Sequence, residues 1–215
     1  DLDGTLVDSV YDHVLAWHAA LQKEGIEVSI WRIHRCIGMS GGLFTQALAR
    51  ETGLQFSDAA LARMRAAHAE HYNAHSSNTK ALPGARELLR YLTANGIPWA
   101  IATSGRMATA GPVLKILGVD PNKVPVVTRE MVAYAKPDPD LFQAAAEKLG
   151  IEIETACVVG DSIWDMLAAQ RARALGIGFL SGGYGTDELQ RSGAYRVFDD
   201  PADMLAHIDE IGGRR

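Results

Sequence analysis

Asp1-Leu2-Asp3-Gly4-Thr5-Leu6-Val7-Asp8-Ser9 is the stretch on which the fold turns. A β-strand sends residues i and i+2 to the same side. If a strand ends here, Asp1 and Asp3 face one reacting atom, so that one can attack while the other moves a proton. Gly4-Thr5 suits the turn that must follow. On local chemistry alone the same residues also read as an ordinary Asp-Gly turn closing a strand. The later segments have to decide between the two.

Downstream the chain has two textures. From about Ser9 to Lys80 the pattern is helical throughout: Val14, Trp17, His18 and Leu21 sit at helix spacing, followed by Leu43, Ala47 and Leu48, then Leu61, Met64 and Arg65. Gly25, the Gly38 to Gly42 region and Gly53 punctuate those helices. From Pro83 on, helices and strands alternate. Pro83-Gly84 opens a helix with Ala85, Leu88, Leu89 and Leu92 on one face, closed by Asn95-Gly96. Strands are expected over 97–103, 124–128, 156–159, 176–180 and 195–198, with helices near 108–117, 141–149 and 163–173. Such alternation predicts an α/β fold, a Rossmann-like parallel sheet covered on both faces. The expected division is a core of residues 1–8 and 81–215, interrupted by an inserted all-helical cap over 9–80. A separate N-terminal helical bundle is the alternative, and the position of Asp1 and Asp3 ahead of the helices argues against it.

Three further constellations fall at strand ends of the alternating part, where ligands of open parallel sheets bind. Ile101-Ala102-Thr103-Ser104-Gly105 offers a hydroxyl and small residues that let backbone N–H groups approach a phosphate; the plain alternative is a strand-to-helix turn. In Ala135-Lys136-Pro137-Asp138-Pro139 the prolines hold Lys136 in a defined place, from which it can neutralise a phosphoryl oxygen; otherwise it is a surface lysine before a helix. In Val158-Val159-Gly160-Asp161-Ser162-Ile163-Trp164-Asp165 the acids sit at the strand tip and one helical turn on. Singly they read as a helix N-cap and a solvated acid. Together with Asp1 and Asp3 they concentrate negative charge that a divalent cation would offset, and hard oxygen ligands point to Mg2+.

In this order the motifs resemble the signatures of the haloacid dehalogenase (HAD) superfamily, in its phosphatase branch, with a look similar to phosphoglycolate phosphatases and β-phosphoglucomutases. The resemblance implies Asp1 as nucleophile and Asp3 as general acid/base, with an apolar strand ahead of Asp1. It implies a metal held by Asp1, the backbone carbonyl of Asp3 and Asp161, with Asp165 tuning it. The amides of Leu2 and Ser104, the Thr103 hydroxyl and Lys136 would cradle the phosphoryl group, and the 37–42 loop, with Gly38, would face the site. The implied activity is magnesium-dependent hydrolysis of small phosphorylated metabolites, of phosphoglycolate or sugar phosphate type, through an aspartyl-phosphate. His13 resembles a residue of the sugar-phosphate mutases and is read as substrate-binding, although the mutases' cap-loop arginine position falls at Gly41, with Arg35 nearby. Mutase is therefore the alternative. Asp3, Asp161 and Asp165 set dehalogenation aside, and a cap whose only lysines are Lys23 and Lys80 sets the phosphonate-cleaving branch aside. A non-catalytic phosphate-binding protein is the other class, opposed by the presence of Asp1, Asp3, Thr103, Lys136 and Asp161.

Composition bounds the rest. At 215 residues, 47% of them hydrophobic, the chain can bury one core plus an accessory module. A net charge of −5 without a dense Lys/Arg run argues against nucleic acid or an anionic membrane as partner. Cys36 and Cys157 are far apart and match no metal spacing, which suits a reduced, cytoplasmic chain. No charged-then-apolar leader and no apolar run of about 18 residues supports secretion or membrane spanning. His68, His71 and His75 read as a solvated polar stripe on one helix face. Neither substrate identity nor oligomeric state is legible.

Overall fold

The helical periodicity of the first third becomes four helices: α1 (Val10–Lys23), α2 (Ile30–His34), α3 (Gly41–Thr52) and α4 (Asp58–His75). The computed structural model describes residues 1–75 and 79–212. Val14, Leu21, Ile33, Phe44, Leu48 and Met64 form one apolar cluster, with Trp17 packed against it. Full burial of each such side chain contributes about 1.5–3 kcal/mol, which is what holds these short helices together. The five-residue α2 was not foreseen, because so short a segment shows no period.

Helix and strand then alternate: α5 (Ala85–Ala94), β1 (Ile101–Ala102), α6 (Met107–Leu117), β2 (Val126–Val127), α7 (Asp140–Leu149), β3 (Cys157–Gly160), α8 (Ile163–Ala172), β4 (Leu175–Phe179), α9 (Thr186–Arg191), β5 (Ala194–Phe198) and α10 (Pro201–Ala206). Every pairing of these strands is parallel. β1 pairs with β2 in the register Ile101 to Val126, and β4 lies between β3 and β5. The result is the expected parallel α/β core with a helical cap. The short helices α9 and α10 lie outside the segments the sequence pattern marked.

Two expectations need correction. The strands foreseen over 97–103 and 124–128 are reduced to two-residue ladders, and Asp1 to Asp3 form no strand, only an isolated bridge from Asp3 to Val7. An apolar groove of about 460 Å³ is lined by both 97–102 and 155–159, and no ladder joins these two segments among the described residues. Asp1 lies at this groove, its amino group donating to the Val159 carbonyl at 2.7 Å.

The two crossings between helical cap and sheet lie side by side. Val7 bridges antiparallel to Ala81, the Asp8 amide donates to the Lys80 carbonyl (2.9 Å), and the Thr79 hydroxyl donates to Asp12 (3.0 Å). Thr103, after β1, and Asp161, after β3, follow the carboxyl ends of their strands and line one cavity. Among the described residues no helix is long and apolar enough to cross a membrane.

Candidate active site

Gly4 begins the construction. It adopts φ +80°, and a Cβ there would collide with the Asp161 carboxylate and Val10. Glycine therefore lets the chain turn sharply beneath Asp161 while the neighbouring Thr5 hydroxyl donates to Asp161 Oδ1 at 2.7 Å. At the start of α8, Ser162 and Asp165 form a reciprocal capping box, and Ser162 Oγ also donates to Asp165 Oδ2. Lys136, fully buried, spans Asp1 Oδ1 (2.5 Å) and Asp165 Oδ1 (2.7 Å). Asp1, Asp161 and Asp165 each place a carboxylate oxygen within 4.8 Å of the others. Residues separated by up to 164 positions thus converge on one point.

The Asp3 carboxylate stands apart from this cluster: its Oδ1 accepts from the Ser9 hydroxyl (2.6 Å) and lies 3.3 Å from His13 Nε2. Thr103 is buried, and its Oγ accepts the Gly105 amide at 2.9 Å, leaving the hydroxyl proton to donate elsewhere. The Ser104 hydroxyl donates to the Gly38 carbonyl (2.9 Å), and the Ser40 amide to the Lys136 carbonyl (2.7 Å). Gly38, at φ +90°, sits where a Cβ would come within 3.0 Å of Ser162 Oγ. The cap loop therefore closes directly onto the lysine and the capping box.

Burial sets the charge states, and neighbours correct them. Burial, then the Asp165 charge, pushes the Asp161 carboxyl up to about 7. Burial also acts to raise Asp165, but Lys136 and the hydrogen bonds outweigh it and hold that carboxyl below its usual range. Asp3 follows the same logic: burial is the largest influence, yet His13 and Ser9 together bring it below its usual value.

These residues line a cavity of about 310 Å³, with Asp1, Asp3, Thr103, Lys136 and Asp161 on the core side and Trp17, Phe44, Arg65 and His68 on the cap side. Its dimensions suit a small metabolite. His68 overturns the reading of 68, 71 and 75 as a solvated stripe. It is half-buried, hydrogen-bonded to His13 and covered by Trp17, because α4 packs along α1 and turns that position inward. Arg35, noted as a distal-phosphate candidate, instead pairs with Glu188 (2.5 Å) and lies over the Tyr184 ring. Of the arginines at the cavity, Arg106 pairs with Glu130 (3.6 Å) and Arg129 donates to the Val132 and Ala133 carbonyls. Arg65 has no hydrogen-bond or ion-pair partner among the described residues. Thr5 and Ser9 were also missed as site residues, although both lie in the opening stretch.

A family profile described as haloacid dehalogenase-like hydrolase matches residues 1–173. The chain belongs to this family. Among relatives of this hydrolase is a phosphoglycolate phosphatase of Rhodospirillum rubrum, 30% identical over 210 residues, covering 95% of this chain and 87% of that one. Hexitol phosphatase A of Escherichia coli is 36% identical over 164 residues, covering 75% and 72%. A crystal structure of a hydrolase from Pseudomonas syringae is 54% identical, with a TM-score of 0.95 over 98% of this chain and 96% of that one.

Proposed function

We propose that this hydrolase is a magnesium-dependent phosphomonoesterase for small phosphorylated metabolites, working through an aspartyl-phosphate on Asp1. The observation that carries the reading is the convergence of three carboxylates, a buried lysine and a buried threonine at one cavity. Three carboxylates against one ammonium leave two negative charges when all are ionised. An all-oxygen donor set with that deficit fits a hard dication. Asp1, the Asp3 carbonyl and Asp161 would hold it, with Asp165 orienting the group around it. When bound, magnesium supplies the charge neutralisation that lets a carboxylate meet an anionic phosphate.

The chain's own residues account for the remaining steps. Lys136 and the Thr103 hydroxyl hold phosphoryl oxygens while Asp1 attacks phosphorus in line. An arriving phosphate anion disfavours the Asp3 carboxylate and favours its protonated form. Asp3 then gives that proton to the departing alkoxide. It later takes one from the water that cleaves the aspartyl-phosphate, restoring Asp1 and releasing phosphate. Residues 9–80 act as a cap over a core of 1–8 and 81–215, excluding bulk water between those steps.

Arg65 supports a substrate that carries a carboxylate beside its phosphate, the phosphoglycolate class, over a neutral sugar phosphate. The His13–Asp3 contact keeps phosphosugar mutase as the second reading. We place the protein in the cytoplasm, where the free thiols of Cys36 and Cys157 stay reduced. The test is magnesium-dependent phosphate release from p-nitrophenyl phosphate, repeated with Asp1→Asn, followed by a panel of phosphorylated metabolites. Activity that survives Asp1→Asn, or that ignores magnesium, rejects the proposal; phosphoryl exchange exceeding net release selects the mutase.

A further inference from the structure

Asp3 is held by a chain of contacts that reaches into the cap. Its Oδ1 lies 3.3 Å from His13 Nε2, and the other nitrogen of that ring, Nδ1, lies 3.1 Å from His68 Nε2. The two imidazoles are inclined by only 13° with centroids 5.2 Å apart. The ring planes are thus near-parallel, and the two facing nitrogens lie within hydrogen-bond distance. The Tyr72 ring lies parallel to His13 at 4.0 Å and Trp17 covers His68 at 4.4 Å, so neither imidazole is free to turn.

Only one proton can lie between the two facing nitrogens, and a neutral imidazole carries a single N–H. If His13 holds that proton on Nδ1, its Nε2 lone pair confronts the Asp3 carboxylate and two acceptors face each other. If His68 donates, His13 keeps its proton on Nε2 and directs it at Asp3. We infer that His68 is a positioning residue whose Nε2–H donates to His13 Nδ1 and so fixes His13 in the tautomer that presents Nε2–H to Asp3 Oδ1. Burial lowers His68 to about 3, which keeps it neutral and able to serve in this way.

The consequence falls on Asp3. With Oδ1 occupied by Ser9 and His13, the free oxygen is Oδ2, which lies toward Gly105 at the cavity wall. The oxygen that exchanges a proton with the leaving group and with water is thereby selected by cap residues. This step rests on the general acid/base reading of Asp3, and the hydrogen bond can be measured without turnover.

The experiment is long-range ¹H–¹⁵N correlation of histidine-labelled protein at pH 7.5, without metal or substrate, alongside steady-state kinetics. His13 is expected as the Nε2–H tautomer in the wild type and in His68→Gln, whose amide N–H can replace the donor. His68→Phe, which keeps the ring stack, should lose that state, lowering kcat by about tenfold with KM changed less than about threefold, as outer-shell orienting partners do. A proton on His13 Nδ1 in the wild type, or an unchanged Nε2–H tautomer in His68→Phe, overturns the inference. The expected tautomer pattern in a protein that releases no phosphate supports the His68 bond and rejects the phosphatase reading.

Discussion

Replacing Lys136 by methionine tests the charge balance of the site, and its magnitude follows from the geometry. The ammonium is fully buried, 2.5 Å from Asp1 and 2.7 Å from Asp165. At an effective dielectric constant near 20 each contact is worth about 6 kcal/mol before desolvation is subtracted. Desolvating the lysine offsets much of that sum, but removing one partner leaves buried carboxylates uncompensated, and such changes cost about 3–5 kcal/mol. Methionine has nearly the same volume, so little of the loss comes from a cavity. The pH dependence has a definite sign. Without the ammonium, burial lifts the Asp165 carboxyl above its unfolded value, so the folded variant binds an extra proton as pH falls, and acidification relieves its penalty. In the wild type Asp165 is held low by Lys136, and its contribution stays constant until pH drops below the unfolded carboxyl value. Urea unfolding at pH 7.5 and pH 5.5 should therefore show a gap of about 3–5 kcal/mol between the two proteins that narrows by about 1 kcal/mol or more at the lower pH. A loss below about 1 kcal/mol at pH 7.5, or a gap that widens on acidification, would refute the reasoning.

Other outcomes follow from the same geometry. Gly38→Val places a branched side chain at φ +90° against Ser162 and should cost about 1–2 kcal/mol in the backbone alone; unchanged unfolding and unchanged kcat/KM would contradict the packing described. Magnesium at a hundred times its Kd should raise the wild-type Tm by about 5–10 °C, from about 2.7 kcal/mol of binding linkage. That shift should vanish in Asp161→Asn and shrink toward pH 5.5, where Asp161, titrating at about 7, holds a proton that competes with the ion; a calorimetric scan that finds it equal at both pH values speaks against Asp161 as a ligand. Arg65→Gln should lower kcat/KM for 2-phosphoglycolate relative to uncharged hydroxyethyl phosphate by about 10–100-fold, the worth of a charge-assisted hydrogen bond. A ratio that does not move would remove Arg65 from substrate recognition.

Much of the core was legible because its signals are local. Asp161 and Asp165 sit where β3 ends and α8 begins, and Asp1, Asp3 and Lys136 sit in short motifs whose residue types and order mark them, so each could be singled out from its neighbours in sequence. The strand lengths were not legible: 97–103 has the residues of a strand, but its ladder depends on which edges lie alongside. The cap was harder still. His68, His71 and His75 follow one helical rhythm, yet only the packing of α4 on α1 decides that His68 meets His13 while His75 stays exposed. Arg35 and Arg65 were equally ambiguous as cap cations. Glu188, 153 residues away, takes the first, and nothing among the described residues takes the second.

The chain's linear order thus determined the class of fold and the chemical types gathered at the sheet edge, since periodicity and turn residues act over a few positions. Tertiary structure alone decided which cation neutralises which acid, which histidine touches Asp3 and what remains free to meet a substrate. Those pairings depend on the rotation of helices and the approach of segments more than a hundred residues apart. Distances of a few ångströms between such segments are set by packing the whole core at once.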